Sequence, residues 1–143
     1  MSELRNFVTF EAAFPDDSFE SEDEDEMPPG GRNICVALRD MLQRLGLRVS
    51  SVDQYQFYGW EMVASDDRYK YWFMLQDAEP WLLMAEPRAG FFVRKAPVQE
   101  ALRQLLIKLN TEIGRDTRFS NVRWHTPEAY QTGEADGART PER

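Results

Sequence analysis

The sequence predicts an α+β fold, a two-layer sandwich in which an antiparallel sheet of four to six strands carries two helices on one face. Two segments place apolar residues at helical spacing, and residues 49–94 between them are rich in aromatic and β-branched side chains interrupted by turn signals. A length of 143 residues suits one domain with one core. We therefore expect a single α+β domain over residues 1–130.

The first predicted element is a strand within residues 4–12, where Phe7, Val8 and Phe10 supply the large apolar side chains. We expect it at an edge of the sheet. Residues 14–31 follow, and their charge repulsion and their proline and glycine content disfavour both helix and strand. We predict a disordered acidic loop there.

The acidic loop contains a run of eight carboxylates in eleven positions, with no Lys or Arg between Arg5 and Arg32. The run, which we call the acidic run, consists of Asp16, Asp17, Glu20, Glu22, Asp23, Glu24, Asp25 and Glu26. The rest of the chain holds 17 acidic and 17 basic residues, so this run accounts for the formal net charge of −8. Such a charge distribution argues against direct contact with nucleic acid and favours steering of a basic partner.

Two amphipathic helices are predicted on either side of the aromatic region. The first spans residues 32–45, ends at Gly46 and lets Leu47 fold back on its last turn. The second begins at Pro97, where a missing N–H costs nothing, and ends at Gly114. Their apolar stripes are Ile34, Leu38, Met41, Leu42 and Leu45, and Val98, Leu102, Leu105, Leu106, Leu109 and Ile113.

The remaining strands form a predicted meander of short segments joined by tight turns. We place them at residues 54–64, 69–76, 81–86 and 91–94, with one more within 119–124. From residue 131 onwards the chain contains no large apolar side chain, so residues 131–143 are predicted to form a disordered tail.

Both faces of the predicted sheet carry large apolar side chains. In one strand Tyr71 and Phe73 alternate with Trp72 and Met74, and two helices cover only one face. We expect an uncovered aromatic surface, which is typical of protein interfaces, with Phe57, Trp72, Met74 and Trp81 as its candidate residues. Two alternatives stay open, namely that other segments bury these residues or that a second copy of the chain does.

Recognisable catalytic signatures are absent from the sequence. His125 is the one histidine, and the single cysteine, Cys35, lies near an apolar helix stripe where a buried structural role is expected. We therefore predict no catalytic, cofactor-binding or metal-binding residue. The lone cysteine, the lack of a signal-peptide pattern and the short apolar runs indicate a cytoplasmic protein without a membrane span.

Three short motifs carry a resemblance: Tyr58-Gly59-Trp60-Glu61, Trp81-Leu82-Leu83 and Val122-Arg123-Trp124. Their order around two helices resembles that of a family of small, uncharacterised proteobacterial α+β proteins. The resemblance covers about residues 30–125, consists of packing residues and implies no catalytic residue.

We expect a non-enzymatic protein-binding domain, in particular an immunity-type inhibitor of a basic bacterial toxin. One alternative is a small-molecule-binding or enzymatic domain with a pocket between sheet and helices that uses Glu61, Tyr71 or His125. Another is a homodimer. A secretion chaperone is a further alternative, although such chaperones usually begin with a helix and this chain does not.

Overall fold

The computed structural model describes residues 4–15, 29–88, 95–133 and 137–141. Within these ranges the chain forms one seven-stranded antiparallel sheet and three helices. The elements are β1 Phe7–Ala12, α1 Arg32–Arg44, β2 Arg48–Val49, β3 Asp53–Tyr55, β4 Gly59–Ser65, β5 Lys70–Gln76, β6 Trp81–Pro87, α2 Lys95–Arg115, β7 Phe119–His125 and α3 Pro127–Gln131. The strands lie in the order β2-β4-β5-β6-β1-β7, and β3 pairs with β4 beside β2.

The predicted α+β class with two helices on one sheet face is confirmed. Alternate residues of the central strands and the apolar stripes of α1 and α2 form one buried cluster, as expected for a two-layer fold. The fully buried members include Phe10, Leu38, Met41, Leu42, Phe73, Leu75, Leu102, Leu106, Leu109 and Trp124. The sheet has one strand more than the upper end of the predicted range, because the segment before β4 forms the two short strands β2 and β3.

The end of α1 agrees with the sequence prediction. Gly46 has a φ of 96°, in the left-handed region that glycine adopts without strain, and the Leu47 amide donates to the Leu42 carbonyl at 3.2 Å. Helix α2 begins at Lys95, two residues before Pro97, and extends one residue past Gly114. The predicted helices are therefore present with nearly their expected bounds.

The prediction that the first strand is an edge strand is wrong. β1 lies between β6 and β7, with Val8 paired to Leu83 on one side and to Trp124 on the other. Its side chains alternate between the two buried surfaces, so that four successive residues from Phe7 are buried. An inner strand satisfies the backbone groups of such a buried segment on both sides.

The other strand predictions hold with changes. The segment predicted at 54–64 is divided by a turn in which Gln56 has a φ of 52°, while the strand predicted at 91–94 lies outside the described residues. A disordered tail was expected from residue 131, whereas the structure places residues 137–141 against the sheet, with Ala138 paired to Trp124 through two backbone hydrogen bonds. The free edge of β7 supplies those backbone partners without requiring apolar side chains in the tail.

In the described part of the chain, no helix combines the length and the apolar character needed to cross a bilayer.

Candidate functional site

The sheet face opposite α1 and α2, which we call the second face, carries one row of side chains across five strands. The strand pairings align Glu61 with Met74, Met74 with Met84, Met84 with Phe7, and Phe7 with His125. This row begins with an acidic residue and ends with a histidine, and its surroundings change along its length.

The half of the second face formed by β1 and β7 is covered by α3 and by residues 137–141. The Tyr130 ring makes edge contacts with Phe7 and with His125, each at a centroid distance of 5.9 Å. His125 is 4% exposed, and its Nε2 lies 2.9 Å from the Thr9 hydroxyl. The histidine is therefore part of a packed layer, where a substrate has no access to it.

Cys35 lies on the other side of the sheet, inside the cluster formed by α1. It is fully buried, and burial raises the pKa of its thiol to about 12. A neutral, enclosed thiol is a poor nucleophile, and the sheet separates it from His125. The expectation of a buried structural cysteine is confirmed.

The other half of the second face, with the turn between β3 and β4, carries an aromatic patch, which we define as Tyr55, Phe57, Tyr58 and Trp72. The Tyr55 ring makes edge contacts with Tyr58 and with Trp72, both at 5.7 Å. Phe57, at the tip of the turn between β3 and β4, is 81% exposed. This turn therefore holds a large apolar side chain in solvent, next in sequence to Tyr58, and exposed aromatic surface of this kind is common at protein interfaces.

Hydrogen bonds and charges fix the aromatic patch in place. The Trp72 indole N–H donates to the Glu61 carboxylate at 2.9 Å, and the Arg88 guanidinium lies 5.5 Å from the centre of the Trp72 ring. The Gln54 side-chain amide donates to the Gln56 carbonyl at 2.7 Å, which closes the turn that carries Phe57. The Trp72 ring and the backbone of the turn are therefore held in place before binding, which lowers the conformational entropy that is lost there.

Phe14, which lies two residues before the acidic run, is anchored at one end of the sheet, which we call the loop end, where β1 finishes and β4 and β7 begin. The Phe14 ring packs on Phe119 at a centroid distance of 5.4 Å, and Arg118 lies 4.4 Å from the centre of the Phe14 ring. Phe119 is paired with Ala12 at the end of β1. The chain thus enters the acidic run from the loop end.

The chain returns from the acidic run to the same end of the sheet. The Pro29 carbonyl accepts a hydrogen bond from the Trp60 indole at 3.1 Å, and the Gly30 amide donates to the Asp77 carboxylate at 2.8 Å. The Asp77 amide in turn donates to the carbonyl of Tyr58, a member of the aromatic patch, at 2.8 Å. Both attachments of the acidic run therefore lie at the loop end, and the second lies next to the patch.

The four aromatic and methionine candidates have different positions. Phe57 is exposed in the turn between β3 and β4, and Trp72 is half-buried on the second face. Met74 also faces that side but is only 3% exposed. Trp81 was assigned to the wrong face: its ring packs on Gly31 together with core residue Leu75, because the phase of β6 places Leu82 rather than Trp81 on the second face. The eight carboxylates of the acidic run lie outside the described residues.

The residues suggested for a pocket do not come together. Glu61 and His125 occupy opposite ends of the row on the second face, whereas Tyr71 belongs to the buried cluster on the helix side. Of these three residues, Tyr71 borders a cleft between sheet and helices, together with Asp66, which the sequence suggested only as a carboxylate partner of Glu61, and Lys108, which was missed. No local pattern marks these two as partners, because the turn after β4 and the middle of α2 meet only in the fold.

Tyr55 and Tyr58 were not predicted as members of the aromatic patch, although the aromatic residues close to Phe57 in the sequence could have indicated them. Across the described ranges, no three His, Cys, Asp or Glu side chains are arranged to hold a metal ion.

No family model, curated protein or solved structure matches this chain.

Proposed function

We propose that this protein is a non-enzymatic binding domain for a basic protein, acting as an immunity-type inhibitor of a basic bacterial toxin. The observation that carries the proposal is the position of Phe57, 81% exposed on a hydrogen-bonded turn, at the end of the sheet where both attachments of the acidic run lie. The apolar anchor and both attachments of the acidic run therefore lie at the same end of the sheet.

The two parts of this surface have different energetic roles. Aromatic side chains that become desolvated at the centre of an interface commonly contribute most of the affinity. Eight carboxylates on one segment attract a positively charged partner over distances of about 10 Å at ordinary ionic strength and mainly raise the association rate. We expect Phe57 to control how long a complex lasts and the acidic run to control how fast it forms.

The aromatic patch also has the composition of an interface centre. Tyr, Trp and Phe are enriched at protein interfaces, and an arginine stacked on tryptophan, as Arg88 is on Trp72, provides a polar rim. Glu61, which accepts the Trp72 indole hydrogen bond, adds an acidic group inside the patch. A partner with a basic side chain beside an apolar pocket would complement both features.

The proposal is tested by affinity capture from an extract of the source cells, followed by binding kinetics with each captured protein. Three baits are compared: the wild-type chain, Phe57→Ala, and a chain in which the eight acids of the acidic run are replaced by Asn and Gln. Gln99→Ala, an exposed position on α2, is the control variant.

The expected result is a basic partner that the wild type and Gln99→Ala bind equally. Phe57→Ala should raise the dissociation rate by at least about tenfold, which corresponds to roughly 1.4 kcal/mol. Neutralising the acidic run should lower the association rate and remove most of its salt dependence. The proposal fails if no basic protein is captured, or if Phe57→Ala binds as the wild type does.

Light scattering separates this proposal from a homodimer. A monomeric mass at the concentrations used for capture is expected. A dimer that dissociates on Phe57→Ala substitution would instead assign the aromatic patch to self-association.

A further inference from the structure

A cleft of about 260 Å³ lies on the helix side of the sheet, away from the aromatic patch. It is bounded by the end of α1, the middle of α2 and the turn between β4 and β5. Leu45, Leu47 and Leu105 contribute apolar side chains to its lining. The volume is slightly below the usual range for drug-sized ligands, so the cleft suits a smaller molecule.

One wall of the cleft carries an oriented carboxylate. Asp66 Oδ1 accepts hydrogen bonds from the backbone amides of Arg68 at 2.8 Å and Tyr69 at 2.7 Å. Within the described part of the chain, its other oxygen, Oδ2, has only a long contact of 3.5 Å with the Tyr71 hydroxyl. Burial, reinforced by Asp66, raises the pKa of Tyr71 to about 12, so the hydroxyl stays protonated. The Asp66 carboxylate therefore keeps acceptor capacity for a cationic group.

The α2 side of the cleft carries the opposite charge. Lys108 lines the cleft, and among the described residues it forms no ion pair. A ligand that entered between Asp66 and Lys108 would meet one charge of each sign above an apolar surface.

We propose that this cleft binds a small zwitterion with an apolar side chain, of the size of a free aliphatic or aromatic amino acid. Asp66 receives the ammonium group, Lys108 receives the carboxylate, and the leucine side chains receive the apolar part. The site goes beyond the proposed protein-binding function, since it shares no residue with the aromatic patch.

The test is an amide chemical-shift titration with L-leucine and L-phenylalanine, each compared with its N-acetyl and its carboxamide derivative. Saturable shifts around residues 45–47, 71 and 108 are expected, with a Kd on the order of 1 mM for a ligand of this size. Each derivative should bind at least about tenfold more weakly, because it lacks one of the two charges. The absence of saturable shifts up to about 20 mM ligand, about twenty times the expected Kd, overturns the proposal.

Variants that remove one charge while nearly keeping the size of the side chain test which residue binds which end of the ligand. Asp66→Asn should remove the preference for the free amino acid over its N-acetyl derivative, and Lys108→Gln should remove the preference over the carboxamide. Lys95→Gln, at the exposed start of α2, is the control and should change neither preference. Equal binding of all derivatives to the wild type would contradict the proposal.

Filling the cleft gives an independent check. Ala101, a partly exposed residue of α2 that lines the cleft, is replaced by Phe, and Ala96, exposed at the start of the same helix, receives the same substitution as a control. Ala101→Phe should abolish the shifts while Ala96→Phe keeps them. Retained binding in a folded Ala101→Phe chain would place the ligand elsewhere and overturn the proposal.

Discussion

The two halves of the second face share one sheet and one alternation of side chains but differ in what covers them. Beside β1 and β7, Phe7 and His125 are buried under α3 and residues 137–141. Beside β3 and β5, Tyr55 and Trp72 stay half-buried and make an edge contact with each other. Strand alternation thus assigns a side chain to a face, whereas a segment from elsewhere in the chain decides whether that face is buried.

The largest expected effect is in the covered half. Phe7→Ala should lower the free energy of unfolding by about 3 kcal/mol, because it leaves a cavity beneath Tyr130. Urea denaturation measures the loss, and Phe7→Leu, which retains most of the volume, should cost less than half as much. A loss below about 1 kcal/mol for Phe7→Ala would mean that α3 does not cover this half in solution.

A pair of glycine variants tests the contact of the tail itself. Gly137 and Gly133 both have positive φ, 57° and 82°, but only a Cβ at Gly137 would meet a neighbour, 2.6 Å from Cε1 of His125. Gly133→Ala should cost about 1 kcal/mol from backbone strain alone, and Gly137→Ala about 2 kcal/mol. Equal losses in thermal or urea unfolding would show that residues 137–141 are not packed on the histidine.

In the open half, the indole hydrogen bond of Trp72 is expected to contribute less. Trp72→Phe removes the donation to Glu61 and should lower the free energy of unfolding by about 1 kcal/mol. A double-mutant cycle with Glu61→Ala isolates the pair, and its coupling energy should be at least about 0.5 kcal/mol. A coupling energy of zero would show that the patch is not held by this bond.

The smallest expected effect on stability is at the tip of the open half. Phe57→Ala should change the free energy of unfolding by no more than about 0.5 kcal/mol, because the side chain is exposed. Urea denaturation of this variant beside the wild type provides the measurement. A loss above about 1 kcal/mol would mean that Phe57 packs against its own chain in solution, and the contrast between the two halves would disappear.

Local signals predicted the parts of the fold that depend on local chemistry. The apolar stripe and Gly46 define α1, and the alternation in β5 places Tyr71 in the core and Trp72 on the second face. One local signal was overlooked: Thr126 followed by Pro127 is a typical helix start, and the Thr126 hydroxyl accepts from the Ala129 amide at 3.1 Å at the beginning of α3.

Features that depend on distant pairing could not be predicted in this way. The start of β6 is an apolar run without alternation, so its phase, and with it the face of Trp81, is set by pairing with β5 and β1. The position of Asp66 opposite Lys108 depends on how α2 packs on the sheet. The contribution of the acidic run to binding stays a prediction, because its charge is read from the sequence alone.

The inner position of β1 has a consequence for how the chain folds. Its partners begin at Trp81 on one side and at Phe119 on the other, so neither pairing is available while only the first part of the chain has been synthesised. Closing such long loops costs entropy before any contact compensates for it, which slows folding relative to a meander of neighbouring strands. We expect the meander β4-β5-β6 to form early and the insertion of β1 to be the late, rate-limiting event. Until then β1, which precedes the acidic run, has no strand partner.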